Sequence, residues 1–273
     1  MRRTAVIVLL LIMPLISVAQ KHGISISTGY HWGINTKSNG SYAGTTFQNP
    51  VAYSLGAGTL TNISYLSQLD SHFMFNAGLS YFEGNTSLVN RTRTTDSMTN
   101  YTGLTAWQLQ ARISVGYRIY IRKVQAYFNI GLVLPVMGRI KEESLTIDSG
   151  KQTAYTAMLR NKPGVGFTSS LGARIRITEN ISLFGEMQAS LMNLSVNSKK
   201  ITAYHDYQNR SLETVYPNTY DREIHYLKSA EDGPVNDKIV NPKGYDINKP
   251  RETLSSKNPY SNMGFSIGLI LHF

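Results

Sequence analysis

The strongest constraint in this sequence is a period of two. Eight stretches alternate apolar with small or polar residues, so each, drawn as a strand, has two unlike faces. In the first, Ile24, Ile26, Thr28, Tyr30 and Trp32 share one face, and Ser25, Ser27, Gly29 and His31 the other. The pattern returns around Tyr53–Tyr65, Phe73–Tyr81, Trp107–Tyr117, Phe128–Leu134, Phe167–Ile177 and Leu183–Leu191. It returns last in Phe265, Ile267, Leu269, Leu271 and Phe273, set against Gly264, Ser266, Gly268 and His272. No helical period competes.

Alternation alone suits a soluble β-sandwich with its apolar faces inward as well as a barrel with its apolar face in lipid. Three features favour the barrel. The aromatic residues of the apolar face gather at strand ends: Tyr30, Trp32, Tyr53, Tyr81, Trp107 and Phe167 at one end, Tyr65, Phe73, Tyr117 and Phe273 at the other. Amphipathic rings prefer the two headgroup depths of a bilayer. The opposite face is Gly, Ser, Asn, Gln and Arg, which fits the crowded interior of a narrow barrel better than a solvated sheet. A leader and a terminal aromatic strand also occur together.

The leader is MRRTAVIVLLLIMPLISVA. Arg2 and Arg3 precede an apolar run too short for a spanning helix, and Ser17-Val18-Ala19 supplies small residues for cleavage, so residues 1–19 read as a signal peptide. Without Arg2 and Arg3, 25 of the 27 Lys and Arg remain against 17 Asp and Glu. An exported basic chain is not expected to bind nucleic acid, and its cations suit lipid or lipopolysaccharide phosphate. The chain has no cysteine, which excludes disulfides, thiol catalysis and Cys-ligated metals. No cofactor is expected.

Connections alternate in length. Short turns follow the second, fourth and sixth segments, at SQLDSH, Tyr120–Lys123 and Thr178-Glu179-Asn180. Long connections occupy about 34–50, 84–103, 139–163 and 195–259. That layout, with an even strand count, is the layout of an outer-membrane barrel with short periplasmic turns and long extracellular loops. The expected fold is therefore all-β, an eight-stranded antiparallel transmembrane up-and-down β-barrel over residues 20–273.

On these features the chain resembles the small eight-stranded outer-membrane barrels of diderm bacteria, of the OmpA transmembrane domain, OmpX and OmpW kind. The resemblance spans essentially the whole mature chain and rests on topology, aromatic girdles and the last strand rather than on a motif. It implies an outer-membrane location. It also implies that Phe265, Ile267, Leu269, Leu271 and Phe273 serve as the signal read by the barrel-assembly machinery. Unlike in OmpA, no periplasmic peptidoglycan-binding domain is expected after the barrel.

Arg112, Arg118, Arg174, Arg176 and Glu186 share the interior parity. Folding the hairpin about Glu179 and Asn180 sets Glu186 almost level with Arg174, so an interior ion pair is expected, with Arg112 as a second partner. Arg118 and Arg176 are expected near water at the short-turn end. His22 and His31 read as structural residues of interior parity. No outward Ser-His pair marks a lipid deacylase, and His205-Asp206 with Glu223-Ile224-His225 reads as solvated loop, so no catalytic or metal-binding residue is assigned.

Residues 195–259 carry Tyr204, Tyr207, Tyr216, Tyr220, Tyr226 and Tyr245 with ten Lys and Arg, nine Asp and Glu, and five prolines. Rigid aromatic rings among mixed charges are a recognition composition, which suggests an extracellular or surface protein ligand; a shielding loop is weighed equally. Lys37, Arg91, Arg93, Arg139, Lys141, Lys151, Arg160 and Lys162 form a basic set in the other long connections. The sequence thus reads as a non-catalytic surface-interaction or envelope-integrity protein. A narrow channel or carrier of small hydrophobic solutes comes second, and an outer-membrane lipid-modifying enzyme third.

Overall fold

The computed structural model describes residues 22–34, 37–39, 47–48, 51–95, 98–227, 235–254 and 257–273. The expected leader and its cleavage site lie outside the described residues. Thirteen strands carry the architecture: β1 (His22–Gly33), β2 (Gly58–Gln68), β3 (Phe73–Gly84), β4 (Ser87–Thr95), β5 (Met98–Ile121), β6 (Val124–Asp148), β7 (Lys151–Asn161), β8 (Gly166–Arg176), β9 (Ile181–Leu191), β10 (Asn193–Asp206), β11 (Glu223–Leu227), β12 (Arg251–Leu254) and β13 (Asn262–His272). Two single-turn helices, α1 (Leu212–Val215) and α2 (Thr219–Arg222), lie between β10 and β11.

Eight of these strands pair in a closed antiparallel ring, β1-β2-β3-β5-β6-β8-β9-β13, and β13 returns to β1. The closing seam runs from Gly23↔His272 to Gly33↔Asn262, so neither strand keeps a free edge there. Phe273 extends the seam, with its N–H donating to the His22 carbonyl at 3.1 Å.

The ring is inside out relative to a soluble sheet. On β1, Ser25, Ser27 and His31 are buried while Ile24, Ile26, Tyr30 and Trp32 are exposed. The same inversion holds at Ile63, Leu79, Ile113, Ile130, Leu171, Leu183 and Ile267, which lie outside on the other seven strands. Rings meet at both ends of this apolar belt. Trp32 packs edge-on against Tyr30 and Phe265, and Tyr81 lies beside Trp107. At the other end Phe73 and His72 pack on Tyr117. His22 belongs to this end too. Its parity is that of Ile24, not of His31, and it stacks on the outer Tyr65 ring at 5.6 Å, so the expectation of an interior His22 is corrected.

Two ring strands are twice as long as the rest. β5 and β6 have 24 and 25 residues and stay paired from Ile121↔Val124 to Met98↔Asp148. At about 3.3 Å per residue they reach roughly 80 Å, well beyond a lipid-facing band of about 25 Å. Their far halves leave the ring and become the centre of an outer lobe, whose sheet runs β12-β11-β10-β7-β6-β5-β4. The residues expected as loops at 84–103 and 139–163 are thus largely strand, and those at 195–259 carry most of β10, then α1, α2, β11 and β12 among turns. Their alternation is hidden because several of these strands carry bulges, and each bulge shifts the parity. On β6, Gln110 faces Pro135 while Leu109 faces Met137, which leaves Val136 unpaired. That one extra residue turns Ile140, Glu142 and Ser144 to the buried face.

Candidate functional site: a closed polar chamber beneath a folded lobe

The inward side chains of the ring build a polar chamber. Asn76 donates to Ser114 Oγ and Asn129 Oδ1 (both 3.2 Å), and Asn129 donates to Ser170 Oγ at 3.0 Å. Ser80 donates to Asn62 Oδ1 at 2.9 Å, and Asn62 donates to Ser64 Oγ at 3.0 Å. Buried polar groups need such partners, since each unpaired one costs about 1–3 kcal/mol. The space left between them is about 70 Å³, room for a few waters.

All three residues of the expected interior network line this chamber, but not as a direct ion pair. Glu186 stands opposite Gly172, and Arg174 stands opposite Phe184, two residues out of step. Tyr127 enters the gap. Its hydroxyl donates to Glu186 Oε2 at 3.1 Å, and the Arg174 guanidinium lies over its ring at 5.6 Å. Gly172 makes this possible, because a Cβ there would stand 2.5 Å from the Tyr127 ring and hydroxyl. Arg112 donates through Nη2 to Thr168 Oγ1 (3.1 Å) and Ser190 Oγ (3.3 Å). Among the described residues no carboxylate comes within ion-pair distance of Arg112 or Arg174.

Apolar layers close the chamber at both ends. The floor is Met74, Tyr127, Phe184 and Ile270, with Leu66 packed against them. Beyond it, towards the short turns, Gln125, Arg176, Ser182 and His272 line a second space, which shares Arg174 with the chamber. Arg118 is buried there rather than wet. Its Nη2 and Nε donate to the carbonyls of Asp70 (2.6 Å) and Ser71 (3.1 Å). Towards the lobe, His31 Nδ1 pairs with Asn262 Oδ1 at 3.1 Å, and Gln108 and Tyr260 are fully buried. Above them lies the main hydrophobic core. It joins Tyr53 and Leu55 to Leu104, Ile140, Ala157, Leu159, Leu194 and Val196, so the lobe's core sits on the ring's mouth.

The lobe carries its own buried charges. Lys199 and Glu142 form an ion pair at 2.5 Å, and Tyr155 donates to the same carboxylate at 2.8 Å. Lys199 Nζ also sits 5.2 Å from the Tyr155 ring centre. Burial, and then the negative Glu142, push the Tyr155 hydroxyl well above its ordinary range, so it remains a donor.

The six tyrosines expected as recognition residues divide. Tyr216 and Tyr226 pack against the core, as Tyr155 does, and Tyr204 meets Tyr216 edge-on at 5.6 Å. Tyr220 and Tyr245 pack together at 5.3 Å, and the Tyr220 hydroxyl accepts from the Lys238 N–H. Only Tyr207 of the six is exposed, with Lys151 Nζ 4.8 Å from its ring centre. Two of the six thus pack on the lobe core, and one is open to solvent. The sequence reading missed Ile239 and Val240, 90% and 70% exposed. They sit on a braced segment, where Asn236 Nδ2 donates to the Asp246, Lys249 and Pro250 carbonyls. Two adjacent β-branched residues between lysines and before a proline were the available signal.

His205 and Asp206 do not form an acid-base pair. Burial alone would raise the Asp206 carboxyl, but hydrogen bonds from the Arg210 backbone, the Arg210 guanidinium and the Gln208 N–H outweigh it and hold the carboxyl below its usual range. Glu223 pairs with Lys200 at 2.6 Å. Among the described residues no three of His, Asp and Glu gather as a metal site would require. The side chains of Lys37, Arg91 and Arg93 lie outside the described residues.

No protein-family model matches the chain. No curated protein matches it either. Among solved structures, one similar fold is the crystal structure of a major outer membrane protein from Thermus thermophilus. It covers 94% of this chain and 100% of that one, at 9% identity and a TM-score of 0.40. A likeness this remote carries no argument about what the chain does.

Proposed function

We propose that the chain is an integral outer-membrane β-barrel of eight strands, closed to flux, whose long hairpins build a non-catalytic extracellular lobe for surface interaction or envelope integrity. The inversion of the ring carries this reading. Soluble proteins rarely leave an apolar patch beyond roughly 600 Å² in water, and here apolar side chains face outward on every ring strand. A closed ring also satisfies its backbone internally, as a lipid-embedded sheet must. Ring strands of 11 or 12 residues suit a tilted crossing of the hydrocarbon core. Three short turns would face the periplasm and the lobe the exterior.

The narrow-channel reading loses support from the two apolar layers. The floor of Met74, Phe184 and Ile270 and the core above the ring's mouth narrow the chamber at its two ends, and Arg174 is the side chain that lines both the chamber and the space beyond the floor. The surface reading is tested by replacing residues 207–254 with a short linker. Equal amounts of heat-modifiable barrel should reach the outer membrane, while cell adhesion or detergent resistance falls. If both traits survive the deletion, residues 207–254 have no such role.

A further inference from the structure

Three successive outward rows on β5 and β6 change character in a fixed order. Leu109 stands opposite Met137, Trp107 opposite Arg139, and Thr105 opposite Lys141. The surface therefore passes from apolar to aromatic to cationic while moving from the ring to the lobe. Arg139 is not alone at that level. The last paired row of β6 and β7 is Ile140↔Leu159, both buried, and that register carried one residue further would set exposed Arg160 level with exposed Arg139 on the outer face.

Like charges on neighbouring strands repel, and proteins usually relieve this with a carboxylate. One row further out, that is what happens: Lys141 pairs with Glu143 and Lys200 with Glu223, both at 2.6 Å. Arg139 and Arg160 have no such partner among the described residues. The carboxylate sharing their row on the ring side, Glu83, stands beyond Trp107 on β3. On the other side the row continues into Ser198 and His225, which add polar groups but no negative charge.

We infer that Arg139 and Arg160 form a binding site for the phosphate of an outer-leaflet lipid headgroup. Two guanidiniums side by side offer forked donors to the oxygens of one phosphate, which removes their repulsion. Trp107, packed beside Tyr81, sets the depth, because girdle rings sit at the headgroup level and the arginines lie at and just beyond that level. The inference rests on the membrane reading.

The test uses the full chain in nanodiscs and counts co-purified phosphatidic acid against phosphatidylcholine by native mass spectrometry. The wild-type protein should prefer the anionic lipid. R139Q/R160Q should lose about thirtyfold of that preference, given about 1 kcal/mol for each cation near an anionic surface. K238Q/K243Q, which removes the same charge from exposed lobe positions, should retain it. Millimolar inorganic phosphate should not displace the lipid. Preference that survives R139Q/R160Q, falls equally in the lysine control, or yields to inorganic phosphate overturns the site. A wild-type chain that fails to enter nanodiscs contradicts the membrane reading instead.

Discussion

Glu186 owes its place on the inner face to alternation in β9, but not its partner, because a two-residue offset across the hairpin lets Tyr127 intervene. Glu186 is the acidic group of a chamber that also holds Arg112 and Arg174. Glu186→Gln keeps an acceptor for Tyr127 but removes the counter-charge. It should destabilise the folded protein in detergent by about 3 kcal/mol, as breaking a buried charge arrangement does. Tyr127→Phe removes one hydrogen bond and should cost only about 1 kcal/mol. Equal losses in urea unfolding would mean that the carboxylate acts as a plain acceptor.

At the scale of elements, the decisive feature is the bulge at Val136. Below it, Phe128, Ile130 and Leu132 face outward; above it, Ile140 is fully buried. Deleting Val136 should make the β5–β6 ladder regular and leave Ile140, Glu142 and Ser144 on the buried face, whereas inserting one further residue there should carry them to the outer face. The lobe should then be protease-sensitive in the insertion variant and resistant in the deletion variant, with the ring resistant in both; a resistant lobe in the insertion variant would show that residue count at Val136 does not set its register. The ring was legible in the sequence because its strands alternate without interruption and because outward and inward residues differ so sharply, as Ile267 and Ser266 do. The lobe was not legible. Its strands pair with distant partners, such as β7 with β10, through ladders shifted at Thr156/Ala157 and Arg160/Asn161. One local signal was there to be used: Ser149-Gly150, both at positive φ, turns β6 into β7. Nor does composition tell which loop tyrosines pack: Tyr216 and Tyr226 lie partly buried against the lobe core, while Tyr207 is exposed. For the chamber, the sequence named Arg112, Arg174 and Glu186, but not Tyr127, whose polar tip is invisible in a parity count.

At the scale of the whole molecule, stability depends on which medium touches the ring. A closed eight-strand ring with a polar interior and apolar exterior is stable only where the exterior is not water, and an extended lobe of mixed charge is stable only where it is. The chain has no cysteine, so single-cysteine variants report one site each. Spin labels at Ile63→Cys, Ile130→Cys, Leu183→Cys and Ile267→Cys sample the ring, and labels at Tyr207→Cys and Ile239→Cys sample the lobe. In a reconstituted bilayer, the four ring labels should collide readily with oxygen and be shielded from a water-soluble nickel chelate, with the reverse at the two lobe positions. Nickel accessibility at the ring positions equal to that at Tyr207→Cys would contradict the account.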